Sequence, residues 1–169
     1  MVHLQPDKPP GHLIRALGLP RKSRILAVAP QPGGLWLIAA DSGFGVASLD
    51  RKQFHPWDLI ERARLRRDGG VLSITYADTR LTEDFAIQPR DKRFASIVNE
   101  RLRASVVEVE HVPVEGGTVA VALRRRPLDQ TLYLQELPDP GIDQEAAAPL
   151  VRAARARLGE AAGLPSATW

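Results

Sequence analysis

Residues 54–78, which read FHPWDLIERARLRRDGGVLSITYAD, decide the fold because they predict two β-strands joined by a tight turn. The first strand, at about 57–66, alternates apolar and polar residues, and the second, at about 71–77, is rich in β-branched and aromatic residues. The Asp-Gly-Gly sequence at 68–70 suits the positive φ angles that a tight hairpin turn requires. We therefore predict an antiparallel hairpin here.

The first predicted strand carries an arginine at every second position. Because side chains of a strand alternate between its two faces, the arginines share one face with Ile60, and apolar residues occupy the other. The arginine row consists of Arg62, Arg64 and Arg66. The apolar face consists of Trp57, Leu59, Ala63 and Leu65. On the second strand the most apolar face consists of Leu72, Ile74 and Tyr76. We predict that the apolar faces pack on the core and that the arginine row faces water.

Three interpretations of the arginine row stay open. It is a solvated face that guards the sheet against edge pairing, a docking site for an acidic partner protein, or a nucleic-acid site. Nucleic acid is the least favoured, because base stacking needs aromatic residues among the basic ones and only Tyr76 is near. A second basic cluster ends the later strand TVAVALRRRP, and its candidate contact residues are Arg124 and Arg126.

Short strands with turn signals between them account for most of the first 90 residues. RILAVAP, LWLIAAD and FGVASLD predict a meander, and TEDFAIQ predicts a strand after the hairpin. Residues 1–22 contain four prolines and one short helical stretch, GHLIRALGL. We interpret them as an N-terminal tail that docks on the domain.

The pattern changes at Pro89, where helical spacing begins. The sequence RDKRFASIVNERLRAS predicts an amphipathic helix of about three turns. SVVEVEHVPV and TVAVALRRRP then flank a Glu-Gly-Gly turn, and TLYLQEL adds a strand. With Gly116 and Gly117 as the central pair of that turn, Glu108 faces Arg125 across the strands. A last helix is predicted within 143–163, with Pro149 kinking it or marking a second start.

About nine short strands and two helices, each helix following a run of strands, predict an α+β fold with antiparallel sheet. A doubly wound fold would alternate strand and helix. We expect a single domain at 23–162, with sub-units 23–104 and 105–162 as the alternative. The N-terminal tail precedes it, and a C-terminal tail at 163–169 follows it.

The composition excludes several classes of function. The chain has no cysteine, which removes disulfide scaffolds, thiolate zinc sites, iron–sulfur clusters and cysteine nucleophiles. The net charge of +3 is too small to indicate nucleic-acid binding by itself. No apolar run approaches a membrane span, and the N-terminus lacks the apolar stretch of a secretory signal, so we expect a cytosolic protein.

No catalytic, metal-ligating or cofactor-binding motif is recognisable, so we predict no cofactor and no enzyme. The four histidines lack metal-ligand spacing, no serine stands in a G-x-S-x-G context, and no glycine turn continues into a phosphate-binding loop. The alternative is a small-molecule-binding protein or enzyme whose pocket lies at the mouth of a barrel, where carboxylates converge with His55 or His111.

The segments FHPWDLIERARL and GGVLSITYAD resemble those of bacterial pleckstrin-homology-like and GRAM-like domains, through the Pro56-Trp57 step into a strand and the glycine turn that follows. Over about 24–160, the order of segments is also similar to that of a group of uncharacterised actinobacterial proteins, mainly through residues 104–126. The resemblance implies a bent antiparallel sheet or partly open β-barrel with a middle helix and a C-terminal helix. It implies a scaffold for protein or ligand binding.

The first turn, PQPGG, lacks the lysines and arginines that lipid-binding pleckstrin domains carry there, which argues against inositol-phospholipid binding. We therefore expect a non-enzymatic module that docks a protein partner through its exposed basic strand face. The expected contact residues are Arg62, Arg64, Arg66, Arg124 and Arg126. A homodimer formed through an exposed strand edge is compatible with each of these interpretations.

Overall fold

The computed structural model describes residues 8–66, 68 and 70–165. His3, Gly69 of the predicted turn and the last four residues of the predicted C-terminal tail lie outside these ranges. The chain divides into two compact units, Met1–Leu102 and Arg103–Trp169. Within the described ranges the fold is α+β with three antiparallel sheets and three α-helices, and no sheet closes into a barrel.

The first unit begins with helix α1, Gly11–Ala16, and contains two antiparallel meanders. The four-stranded sheet has the order β1-β2-β3-β4, with β1 Ile25–Pro30, β2 Trp36–Ala40, β3 Gly43–Ala47 and β4 Lys52–Pro56. The three-stranded sheet has the order β5-β6-β7, with β5 Ile60–Leu65, β6 Val71–Tyr76 and β7 Thr82–Ala86. The predicted middle helix is confirmed as α2, Lys92–Ser105.

One hydrophobic core joins both sheets of the first unit to α2. Helix α2 contributes its apolar stripe, which consists of Phe94, Ala95, Val98 and Leu102. The rings of Phe44 and Phe85 are tilted by 56° to each other with centroids 5.8 Å apart, so β3 and β7 meet in this core. Trp57 is buried there, and its indole Nε1 donates to the backbone oxygen of Ala40 at 2.9 Å, which satisfies its polar group.

Helix α1 confirms the short helical stretch predicted in the N-terminal tail. Leu13 and Leu17, one helical turn apart, are buried against Trp36 and Ile38 on the outer side of the four-stranded sheet. Gly45 lets this segment approach closely, because a Cβ built on it would lie 3.1 Å from a methyl carbon of Leu17. The described part of the predicted tail therefore packs on the first unit.

The strand that carries the arginines begins later than predicted. Residues 57–59 form a 3-10 turn, and β5 starts at Ile60. The strand pairs Ile60 with Tyr76 and Arg62 with Thr75, so one residue, Glu61, is inserted as a β-bulge. The bulge turns Ile60 to the core, where it is completely buried, and the prediction that Ile60 shares the face of the arginines is wrong.

The second unit is a three-stranded sheet followed by a helix. The sheet has the order β10-β9-β8, with β8 Val106–Val114, β9 Gly117–Arg125 and β10 Leu132–Pro138. Helix α3, Gln144–Ala161, packs Val151, Ala154 and Leu158 against Val121 and Leu123. It continues through Pro149, which marks no second start. No helix in the described part of the chain is both long enough and apolar enough to cross a bilayer.

The register of the β8–β9 hairpin corrects the predicted turn. Val114 pairs with Gly117, so Glu115 and Gly116 form the centre of the turn. Glu108 consequently faces Leu123, and the predicted pair with Arg125 is wrong. The next carboxylate of β8, that of Glu110, accepts hydrogen bonds from Arg157 of α3.

Candidate functional site

The arginine row lies on the exposed face of the three-stranded sheet, as predicted. Arg62, Arg64 and Arg66 are exposed, while Ala63 and Leu65 between them are half-buried and pack against the core. Strand β5 is at the edge of its sheet, and β6 is its one partner among the described strands. The row therefore presents three guanidinium groups along one exposed edge.

The polar side chains beside the row are bonded to each other. Ser73, which faces Arg64 across the strands, donates to Oδ1 of Asp84 at 2.6 Å. The hydroxyls of Thr75 and Thr82 lie 2.8 Å apart. Among the described residues, no carboxylate forms an ion pair with an arginine of the row. The charge of the row is thus available to a partner.

Further basic residues follow strand β7, whose end passes the β5–β6 turn. The backbone N–H of Ile87 donates to the oxygen of Gly70 at 3.0 Å, so the chain that leaves β7 runs beside the β5–β6 turn. Three exposed basic residues follow within six positions of Ile87, whereas Asp91 among them is buried. We call the whole group the basic surface. It consists of Arg62, Arg64, Arg66, Arg90, Lys92 and Arg93.

Sequence reasoning missed Arg90, Lys92 and Arg93, because they were interpreted only as the polar start of a helix. The signal that could have found them is their position just after β7, whose end must meet the β5–β6 turn in an antiparallel meander. Charge alone does not single them out, since basic residues are spread over the whole chain.

Arg124 belongs to the interior and not to the surface, which corrects its predicted role. Its side chain is 1% exposed. Nε donates to Oε1 of Gln135 at 3.0 Å, and Nη1 donates to Oγ of Ser105 at 3.3 Å. Arg126 is exposed as predicted, and its guanidinium carbon lies 5.1 Å from the centroid of the Tyr133 ring. Of the two contact residues predicted in the second basic cluster, Arg126 is therefore exposed enough to contact a partner.

A second polar group in the first unit surrounds His55. The imidazole of His55, on β4, packs against the ring of Tyr76 with centroids 4.3 Å apart and the ring planes tilted by 35°. Nη2 of Arg51 lies 2.7 Å from each carboxylate oxygen of Glu83, and Asp78 is close enough to act on His55 electrostatically. His111 is exposed on β8 of the other unit. His55 thus lies beside charged residues of the first unit, whose sheets do not close into a barrel.

Burial controls the ionisation of this group. It lowers the pKa of His55 below the ordinary value of 6.5, while the charges of Asp78 and Glu83 act in the opposite direction. Burial also raises the pKa of the Tyr76 hydroxyl well above its ordinary value. Both rings are therefore mainly neutral at pH 7. Neutral rings suit packing against each other better than they suit the stabilisation of a charged ligand. In the described ranges, no three histidines or carboxylates are grouped so as to hold a metal ion.

The second unit contains a cavity of about 120 Å³ between α3 and the sheet. Val119, Ala147 and Val151 form its apolar walls, and Glu136 and Arg152 are among the polar residues that line it. Glu136 accepts a hydrogen bond from Arg155 at 2.6 Å, so its charge is already compensated. The described residues that line this cavity include neither His55 nor His111.

Comparisons of the chain with models of protein families, with curated proteins and with solved structures find no match.

Proposed function

We propose that the first unit is a pleckstrin-homology-like binding module that docks an acidic segment of a partner protein on the basic surface. The order of its elements supports the pleckstrin-like assignment. A four-stranded meander, a three-stranded meander and a helix follow one another along the chain and share one core. This order supports the assignment because the resemblance implies antiparallel strands followed by a covering helix, and here the strands form two sheets.

The observation that carries the docking proposal is the free charge of the arginine row. Three exposed arginines stand at alternate positions of an edge strand, and no described carboxylate forms an ion pair with them. Asp84, which shares the face of the row through the pairing of Arg64, Ser73 and Asp84, accepts a hydrogen bond from Ser73. A surface of one sign attracts a segment of the opposite sign and steers its association.

A protein segment fits this surface better than nucleic acid does. Binding of single strands needs exposed aromatic rings on which bases stack. Tyr76 and Phe85 are the aromatic residues of the three-stranded sheet, and both are buried. The basic surface thus offers charge without stacking platforms, which favours carboxylates as the groups that it binds.

The test compares two variants of equal net charge. In the first, Arg62, Arg64 and Arg66 are changed to Ser. In the control, three exposed arginines of the second unit, Arg103, Arg125 and Arg152, are changed to Ser. The probe is a fluorescent glutamate-rich peptide, measured by anisotropy at low and at physiological salt.

We expect the first variant to lose about tenfold or more in affinity and the control to lose little, because three charge-assisted contacts are removed only in the first. Affinity for the parent protein should fall as salt rises. Equal losses in both variants would mean that the peptide responds to net charge alone, and the proposal would be wrong. Stronger binding of single-stranded DNA of equal charge would favour the nucleic-acid interpretation instead.

A further inference from the structure

The exposed edge of β5 is a template for strand addition, and its backbone geometry follows from one hydrogen bond. The N–H of Arg66 donates to the oxygen of Val71 at 2.9 Å. In an antiparallel ladder, successive residues direct their backbone groups alternately to one side and to the other. Arg62, Arg64 and Arg66 therefore bond to β6, whereas Ala63 and Leu65 direct their N–H and C=O groups outward.

These outward groups are not used within the described part of the chain. Strand β5 pairs with β6 alone, and no backbone hydrogen bond from another described segment reaches Ala63 or Leu65. The edge is regular from Arg62 to Arg66 and ends at the bulge of Glu61, whose carboxylate lies 3.1 Å from Nε of Arg80. The regular edge that an added strand could use is thus five residues long, and the bulge at Glu61 determines where it begins.

We infer that the acidic partner segment binds as a strand added to the free edge of β5, with an acidic side chain at every second residue and apolar side chains between them. This inference rests on the proposed function. In the added strand, residues opposite Ala63 and Leu65 form the hydrogen-bonded pairs. Residues opposite the three arginines form the non-hydrogen-bonded pairs, in which side chains approach most closely.

The side chains of β5 determine what the added strand carries. Its residues opposite the arginine row lie on the exposed face, so carboxylates there meet guanidinium groups directly. Its intervening residues lie on the same side as Ala63 and Leu65, which are half-buried and pack on the core. Apolar side chains at those positions extend the core, and the preferred sequence alternates acidic and apolar residues.

The same geometry disfavours pairing of β5 with the β5 strand of a second copy of the chain. Antiparallel pairing of two such strands would bring arginines against arginines, and like charges directly opposite each other are destabilising. Charged residues on an edge strand are a common protection against self-association. The row therefore blocks pairing with itself and admits a strand of opposite charge.

The test uses three peptides built from the same glutamate and valine residues, and each is titrated into the unmodified chain and into the Arg62→Ser, Arg64→Ser, Arg66→Ser variant. The first is acetyl-Glu-Val-Glu-Val-Glu-amide, and the second is its clustered isomer Glu-Glu-Glu-Val-Val with the same end groups. The third repeats the first but carries N-methyl groups on both valines, which removes the two amide donors that would face Ala63 and Leu65. Affinities are measured by NMR titration, and amide exchange of Ala63 and Leu65 is measured in each complex.

We expect the alternating peptide to bind about tenfold more tightly than either of the others, because only it satisfies both the backbone and the side-chain pairing. It should also slow amide exchange at Ala63 and Leu65.

Equal affinity for all three peptides, lost in the variant with Ser at positions 62, 64 and 66, would overturn strand addition and leave acidic docking intact. Preferential binding of the alternating peptide that persists in that variant would support strand addition and overturn the proposed function. Absence of binding to all three at low salt would overturn both.

Discussion

Nη2 of Arg51 lies 2.7 Å from both carboxylate oxygens of Glu83, and this contact joins the turn before β4 to strand β7. The two strands belong to different sheets of the first unit, so the ion pair connects the sheets outside their apolar core. Oε1 of Gln53 accepts from Nε of Arg51 at 2.8 Å and holds the guanidinium in place. Both side chains of the pair are about one-third exposed, which limits its strength.

We predict that Glu83→Gln lowers the free energy of unfolding by about 1 kcal/mol, because the charge of Arg51 loses its partner in a partly screened position. A double-mutant cycle with Arg51→Met, followed by urea unfolding, isolates the pair. A coupling energy indistinguishable from zero would contradict a role of this contact in stability.

His55 should make the first unit less stable in mild acid. Burial lowers the pKa of His55 in the folded chain below the ordinary value of 6.5, so the unfolded chain binds the proton more readily. Its contribution is therefore fully present above the unfolded pKa and is lost as the pH falls toward the folded pKa. Urea unfolding at pH 7.5, 6.5 and 5.5 measures this, and His55→Gln should flatten the profile. An identical slope in the variant would assign the pH dependence to other groups.

Arg124 and Arg125 are neighbours with opposite environments, which gives a matched pair of variants. Arg124→Met removes the donor to Gln135 and Ser105 from the interior, and we predict a loss of about 2 kcal/mol. Arg125→Met changes an exposed residue and should alter the free energy of unfolding by less than about 0.5 kcal/mol. Similar values for the two variants, obtained by urea unfolding, would show that Arg124 is not the buried residue described above.

Gly43 is required where β3 passes the backbone of β4. A Cβ at this position would lie 2.3 Å from the carbonyl oxygen of His55, and a backbone atom cannot move aside as a side chain does. We predict that Gly43→Ala costs about 3 kcal/mol or prevents folding. At Gly45, the nearest atom is a methyl carbon of Leu17 at 3.1 Å, so Gly45→Ala should cost less. Thermal unfolding of both variants ranks them, and a smaller effect at Gly43 would contradict the prediction.

Much of the local structure could be predicted from the sequence, because periodicity and turn residues report on it directly. The alternation of Leu72, Ile74 and Tyr76 correctly identified the buried face of β6. Helical spacing around Phe94 and Val98 correctly identified α2, and the exposed position of the arginine row followed from period two.

The wrong predictions concern structural features that the periodicity of apolar residues in the sequence does not encode. Arg124 was expected at the surface because it is charged, but its partners Ser105 and Gln135 lie 19 and 11 positions away in the sequence. The turn of the β8–β9 hairpin was centred on the wrong residues because Gly116 and Gly117 both suit a tight turn, and pairing along the whole ladder fixes the register. The extended basic surface depends on the meeting of the β5–β6 turn with the end of β7, which is tertiary information.

The bulge at Glu61 means that the length of β5, as well as its chemistry, fixes the site. One extra residue resets the phase of the strand, so that Ile60 and Arg62 point to opposite faces although they are two positions apart. Deleting Glu61 would make Ile60 and Arg62 consecutive residues of a regular strand, so both are expected to keep their faces while the bulge and the contact of Glu61 with Arg80 are lost. Deleting Ala63 from the regular part of the strand would instead make Arg62 and Arg64 consecutive and turn one of them inward, so the effect of a deletion depends on whether it falls at the bulge.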